Sequence, residues 1–215
     1  MKEIKVGLIR VVTTTNEKVL NAHASLLTSR FKNLDIETKC IPNQPEGIHD
    51  AETEKIAVPK IINLAKDFES KGADVVFISC AADPGVEECR RLLNIPVIGA
   101  GSACAIMAQS LGNKVGVLGI TEEAPEVMVK ILKEKFVCSI KPEGVNTTLD
   151  LFKEEGRANA LKAAGMLKEK GCDTIALACT GMSTINVHED IRENIKIRVI
   201  DPVLAAGVIM SYLQF

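Results

Sequence analysis

The sequence predicts an α/β protein made of two similar halves, each a doubly wound parallel sheet. Two observations carry that prediction. Short runs of Val, Ile and Leu alternate with longer helical patterns along the whole chain, the signature of parallel strands covered on both faces. A set of phrases also recurs in the same order in both halves. Lys71-Gly72-Ala73-Asp74 launches an apolar run ending on Cys80, and Lys170-Gly171-Cys172-Asp173 launches one ending on Cys179. Three further echoes flank these. Val6-Gly7-Leu8-Ile9 matches Val115-Gly116-Val117-Leu118, Pro45-Glu46-Gly47-Ile48 matches Pro142-Glu143-Gly144-Val145, and Ile95-Pro96-Val97-Ile98 matches Ile197-Arg198-Val199-Ile200. A spacing near a hundred residues is too long for a solenoid unit and fits two similar domains.

The elements follow in order. Residues 3–11 form an apolar strand, and 16–32 a helix. A second strand is predicted at 34–41 and a helix at 52–70. The strand at 73–79 ends on Cys80. Asp83 then reads as an N-cap, with Pro84 opening a helix over 84–93. A short strand at 96–98 leads into a helix at 101–111. The second half repeats this plan, with strands at 114–119, 136–140, 173–178 and 197–200. Its helices are predicted at 122–135, 153–170, 184–194 and 202–213, with Thr121, Ser183 and Asp201 as caps.

Composition excludes several classes of function. The 215 residues carry a formal net charge of -2, which gives no general attraction to nucleic acid or acidic membranes. There is no Trp and one Tyr, too few rings for base stacking. No apolar run reaches membrane-spanning length, and no signal peptide is read at the start. Seven cysteines is an odd number, which favours reduced thiols and a cytoplasmic location over a disulfide framework. No C-x-x-C pair and no His pair has metal-ligand spacing, so no metal and no cofactor is expected. Gly99-Ala100-Gly101-Ser102 lacks the third glycine of a dinucleotide fingerprint and reads as tight packing or a small anion contact.

Cys80 and Cys179 are the candidate catalytic residues. Ligands of open α/β sheets gather beyond the carboxyl ends of strands, where both thiols fall. Two thiols at matched places in a repeat can face each other across a cleft. They then supply a base on one side of a carbon and an acid on the other, as inversion of configuration requires. Backbone N–H groups after each cysteine could hold a carboxylate or an enolate. Thr13, Thr14 and Thr121, after the first strand of each half, could grip a substrate carboxylate or simply cap helices. Asn146-Thr147-Thr148 is placed near the cleft by symmetry alone. Cys40, Cys89, Cys104, Cys138 and Cys172 read as structural. Of the three histidines, His49 is nearest the presumed cleft.

Those residues resemble a known family. Cys80-Ala81-Ala82-Asp83-Pro84-Gly85, Ile95-Pro96-Val97-Ile98-Gly99, Cys179-Thr180-Gly181-Met182 and Val199-Ile200-Asp201-Pro202 are similar to the motifs of the aspartate/glutamate racemase superfamily, and most to its hydantoin racemase branch. The resemblance spans nearly the whole chain. It implies two Rossmann-like domains with parallel sheets related by pseudo-twofold symmetry, and an active site in the cleft between them. The first domain would be 1–98 plus 201–215, with the final helix packed back on it, and the second 99–200. It implies cofactor-independent racemisation of an amino acid or derivative, by one thiolate and one thiol. By this resemblance Ser79, Ala81, Thr180 and Gly181 would bind the small-molecule substrate, and the enzyme would be a homo-oligomer; Ala82 and Asp83, in the small polar loop after Cys80, are further candidate binding residues. Two departures concern the substrate. Arg10-Val11-Val12-Thr13-Thr14-Thr15 stands where hydantoin racemases carry an Asn-Pro-Asn-Ser/Thr run. Cys80-Ala81-Ala82 stands where amino-acid racemases often have Cys-Asn-Thr. Competing readings are a cysteine isomerase or decarboxylase of maleate isomerase or arylmalonate decarboxylase type, a dithiol redox protein, and a non-catalytic binding protein.

Overall fold

The computed structural model describes residues 3–214; Met1, Met1's neighbour Lys2 and Phe215, assigned from the sequence to the first domain, lie outside them. Among the described residues eight strands form two parallel sheets. The first contains β1 (Ile4–Arg10), β2 (Leu34–Cys40), β3 (Val75–Ser79) and β4 (Val97–Gly99) in the order β2-β1-β3-β4. The second contains β5 (Val115–Leu118), β6 (Phe136–Ile140), β7 (Thr174–Leu177) and β8 (Arg198–Ile200) in the order β6-β5-β7-β8. Strand order is therefore repeated, with the thiol-bearing β3 and β7 in equivalent places. Every residue of β3 and of β7 is buried, which explains why both read as unbroken apolar runs rather than alternating ones.

The repeated phrases fold alike. Gly72 and Gly171 both adopt positive φ, +83° and +85°, just after a helix has ended. The aspartate two residues on then ties the turn to the neighbouring strand. Asp74 accepts from the Lys5 N–H at 2.8 Å, and Asp173 from those of Asn113 and Lys114 at 3.0 and 3.2 Å. Gly7 and Gly116 also play one role. A Cβ on Gly7 would lie 2.4 Å from the Phe68 ring, and one on Gly116 would lie 2.8 Å from Leu167 and Cys172. Only glycine lets α2 (Ala51–Ser70) and α6 (Glu154–Glu169) seat their side chains directly on the central strands.

Helices cover both sheets. α1 (Glu17–Arg30) starts at Asn16, whose side chain accepts from the Lys18 and Val19 N–H groups. Between the sheets lie α4 (Ala100–Leu111) and α9 (Pro202–Ser211), which pack on each other; α9 also packs on α1. A Cβ on Gly207 of α9 would overlap Phe31 and Leu27, so the close approach of α9 to the end of α1 depends on that glycine. Asp201 caps α9 through the Val203 and Leu204 N–H groups, as the sequence predicts. Its other carboxylate oxygen faces His188 Nδ1 at 3.3 Å in a buried pair.

Three predicted caps are corrected. The helix after Cys80, α3 (Val86–Leu92), begins at Gly85 with φ +70°, not at Asp83. Asp83 itself has φ +55°, and its carboxylate accepts from N–H groups of α4 instead. Thr121 does not cap a helix, because its hydroxyl is taken by the Glu123 carbonyl at 2.7 Å. The chain there runs through a turn to Pro125 before α5 (Glu126–Leu132). Ser183 lies inside a short helix, α7 (Thr180–Thr184), which follows Cys179 directly. α8 (Val187–Asn194) then starts from Asn186 in a left-handed conformation. A 3-10 helix at Thr148–Phe152, not anticipated from the sequence, precedes α6.

Candidate active site

The carboxyl ends of β1, β3, β5 and β7 open on one cavity of about 820 Å³, lined by both Cys80 and Cys179. Cys80 is half-buried and Cys179 buried, and neither is in a disulfide. Burial dominates the ionisation of both. The Cys80 thiol is pushed up to about 12 by burial, eased by the Ala82 N–H and pushed further by Cys179, Asp83 and Glu54. Cys179 is also pushed up by burial, but more groups oppose the rise. They are the Thr148 hydroxyl, 3.6 Å from its sulfur, the Gly181 and Met182 N–H groups, and the Arg10 guanidinium.

A hydrogen-bonded bridge fixes the two cysteine-bearing segments relative to each other. His23, fully buried in α1, places Nδ1 2.8 Å from the Ser79 hydroxyl and Nε2 2.9 Å from the Thr180 carbonyl. A carbonyl only accepts, so Nε2 carries the proton and the Ser79 hydroxyl donates to Nδ1. Burial and the nearby Arg10 hold His23 well below the usual imidazole range, which keeps it neutral. Thr180 closes the bridge by donating its hydroxyl to the Ser79 carbonyl at 3.1 Å. The residue before Cys80 is thus joined to the residue after Cys179, both directly and through one imidazole.

Arg10 ends β1, in register with Ser79 on one side and Cys40 on the other. It is 4% exposed yet lines the cavity. Its Nη1 donates to the carbonyls of Val19 and Leu20 in α1. Burial lowers its pKa to about 10, opposed by Cys40 and Cys179, and it remains charged at neutral pH.

The remaining expected site residues divide into two groups. Ser79, Ala81, Ala82, Thr121, Thr180 and Gly181 all line the cavity. Thr148, placed near the cleft by symmetry alone, lines it too and contacts Cys179. Thr13, Thr14 and Asp83 do not line it. The Thr13 hydroxyl is occupied between the Ile41 carbonyl and the Gln44 N–H, at 2.6 and 2.7 Å, where it holds the loop after β2. Thr14 accepts from the Asn16 N–H at 3.1 Å. The Asp83 carboxylate takes the N–H groups of Gly101 and Ser102, at 2.6 and 2.8 Å. The anion contacted by the Gly99-Ala100-Gly101-Ser102 segment is therefore the protein's own Asp83, which ties the Cys80 loop to the start of α4. The sequence does not mark Arg10 or His23 as site residues. Arg10 carries one signal, a charge at the carboxyl end of a buried strand, whereas His23 carries none, because its partners lie 56 and 157 residues away.

The fold and cavity define a double-sheet α/β protein with two free thiols, one from each half, on the walls of one cleft. The model of the Asp/Glu/hydantoin racemase family matches residues 8–208, and the chain belongs to that family. A hydantoin racemase from Pseudomonas sp. (strain NS671) is 24% identical over 211 residues, covering 94% of this chain and 82% of the relative. Allantoin racemase from Klebsiella pneumoniae superposes with a TM-score of 0.82 at 22% identity, over 98% of this chain and 87% of that one. Maleate isomerase Iso from Pseudomonas putida S16 superposes with a TM-score of 0.67 at 14% identity, over the whole of this chain and 94% of that one. Among the described residues no cluster of side chains could hold a metal ion, and no helix is long and apolar enough to cross a membrane.

Proposed function

We propose that this protein is a cofactor-independent racemase of an amino acid or amino-acid derivative, of hydantoin or Asp/Glu type, working by two bases. The observation that carries the reading is that Cys80 and Cys179, from matched strand ends of the repeat, line one cavity. A thiolate on one face of the α-carbon takes its proton, and the electron pair is delocalised into the adjacent carbonyl. The thiol on the other face returns a proton, giving the mirror-image product. N–H groups beside the cysteines, those of Ala82, Gly181 and Met182, suit the charge that develops on these atoms. The His23 bridge gives the constellation the rigidity that such alignment needs.

Serine is a far weaker base than a thiolate, so Cys80→Ser and Cys179→Ser each test the reading. Each single variant is expected to lose inversion almost completely. A variant that still exchanges the α-proton of one enantiomer while failing to invert it would assign a face to the surviving thiol. Full inversion by either variant would overturn the proposal.

A further inference from the structure

Of the charged residues lining the cavity, Arg10 alone is buried, and its hydrogen bonding is incomplete. Nη1 is taken by the Val19 and Leu20 carbonyls, at 2.5 and 3.1 Å. Among the described residues nothing accepts from Nε or Nη2, and no carboxylate pairs with the guanidinium. Those two nitrogens are not sealed in the core either. The buried side-chain polar atoms that lack a partner belong to Thr38, His49, Ser183, His188 and Asp201. Nε and Nη2 therefore keep contact with open space, and the space that Arg10 lines is this cavity. They lie on one edge of the planar guanidinium, the edge that receives a carboxylate through two parallel N–H bonds. Nothing else in the cavity answers the charge. Burial raises both thiols, which leaves them protonated at neutral pH. Glu87 is paired with Arg90 at 2.6 Å, Glu126 with Lys130 at 2.6 Å, and Asp50 caps α2. Glu123 is exposed and Glu54 half-buried, and among the described residues neither pairs with Arg10. A buried cation without a counter-ion is costly, and an anion that binds beside it recovers part of that cost.

We infer that the Nε–Nη2 edge of Arg10 is the subsite for a substrate carboxylate, and that it selects anionic substrates. Free amino acids, or ring derivatives that carry an acid, are then preferred to neutral 5-alkylhydantoins. This inference rests on the racemase reading and names the class of substrate for it. A neutral ring offers the guanidinium only an uncharged carbonyl, whereas a carboxylate offers two oxygens and the missing counter-charge. Hydrogen bonds between charged partners are the stronger ones, so the preference follows from the chemistry of the donor. The Nη1 bonds to α1 hold the guanidinium in place, which leaves little to be ordered when the anion arrives.

The test uses achiral probes, which cannot be racemised, so its outcome is independent of turnover. Succinate and succinamide have similar shapes and differ in charge. Binding of each is measured by titration calorimetry at pH 7, in a buffer free of other carboxylates. Succinate is expected to bind more tightly than succinamide by about tenfold or more. Arg10→Met should remove that preference, and Arg10→Lys, which keeps the charge but not the fork, should retain part of it. Thermal melting shows whether each variant is folded, and the comparison of the two probes on the wild-type protein stands even if Arg10→Met is not. Succinamide binding as tightly as succinate, or no binding of succinate, would overturn the inference. So would a folded Arg10→Met variant that keeps the preference. Racemisation without a preference for charge would sink this inference and leave the two-thiol reading standing; charge-selective binding without racemisation would do the reverse.

Discussion

Gly101→Ala separates two effects that pull in opposite directions. By helix propensity alone alanine is better than glycine by about 1 kcal/mol in a helix interior. Gly101 is the second residue of α4, so a local argument expects a small gain. The structure gives the opposite sign. A Cβ at this position would stand 2.0 Å from the Ala81 carbonyl oxygen and 2.8 Å from its carbon. Real Cβ atoms do not approach heavy atoms closer than 3.0 Å, so α4 and the Cys80 loop must separate by about 1 Å. The Asp83 bonds to the Gly101 and Ser102 N–H groups resist that separation, so the strain is shared between the clamp and the loop. A misplacement of 1 Å at a reacting group costs about 100-fold in rate. The expected outcome is a fall in kcat of about that size, with a smaller change in KM, and a melting temperature that falls rather than rises. Racemisation can be followed by circular dichroism of the substrate, and stability by thermal melting. Gly72→Ala is the control for a glycine that meets nothing: it is strained by its φ of +83° but lies far from the cavity, and it should cost stability without changing kcat. Wild-type turnover and an unchanged or higher melting temperature in Gly101→Ala would refute the reasoning.

Two further outcomes follow from the same geometry. Activity should rise with pH between 7 and 8, by close to tenfold per unit, since burial holds both thiols above their ordinary range and the base must first lose its proton. A kcat/KM profile already level at pH 7 would contradict that. Asp201→Ala removes two N–H contacts from the start of α9 and leaves the buried His188 without its carboxylate, so it should lower stability by about 1–2 kcal/mol in denaturant titration. Activity per folded molecule should be retained, because neither residue lines the cleft.

The parts of this molecule that were legible in its sequence are those set by short-range chemistry. Strands buried on both faces left unbroken apolar runs. The Lys-Gly-x-Asp turns left a glycine at positive φ and an aspartate free to bond the next strand, so the repeat was visible before any fold was assumed. The two thiols are legible because each ends such a run. Long-range partners were what the sequence hid. Asp83 followed by Pro84 looks like a helix start, but its carboxylate is claimed by N–H groups 18 and 19 residues away. Thr13 and Thr14 sit where a ligand-gripping turn would be, yet their hydroxyls are consumed by the loop after β2 and by the entry to α1. His23 looks like any helical histidine, and only the folded chain brings Ser79 and Thr180, more than a hundred residues apart, to its two ring nitrogens. Thr148 is legible only through symmetry, because the Pro142-Glu143-Gly144 turn preceding it repeats Pro45-Glu46-Gly47; in the structure both glycines have positive φ.

Proton NMR in deuterated water tests the central claim most directly. Pure enantiomers of free amino acids and of 5-substituted hydantoins are incubated with and without the protein, and the α-proton signal is followed. The unassisted exchange of hydantoins is subtracted. Enzyme-dependent loss of that signal, with the mirror-image product appearing and both lost in the cysteine variants, is the predicted result. A protein that leaves every α-proton at the enzyme-free rate, or that exchanges it equally well without Cys80 and Cys179, would contradict the two-thiol account.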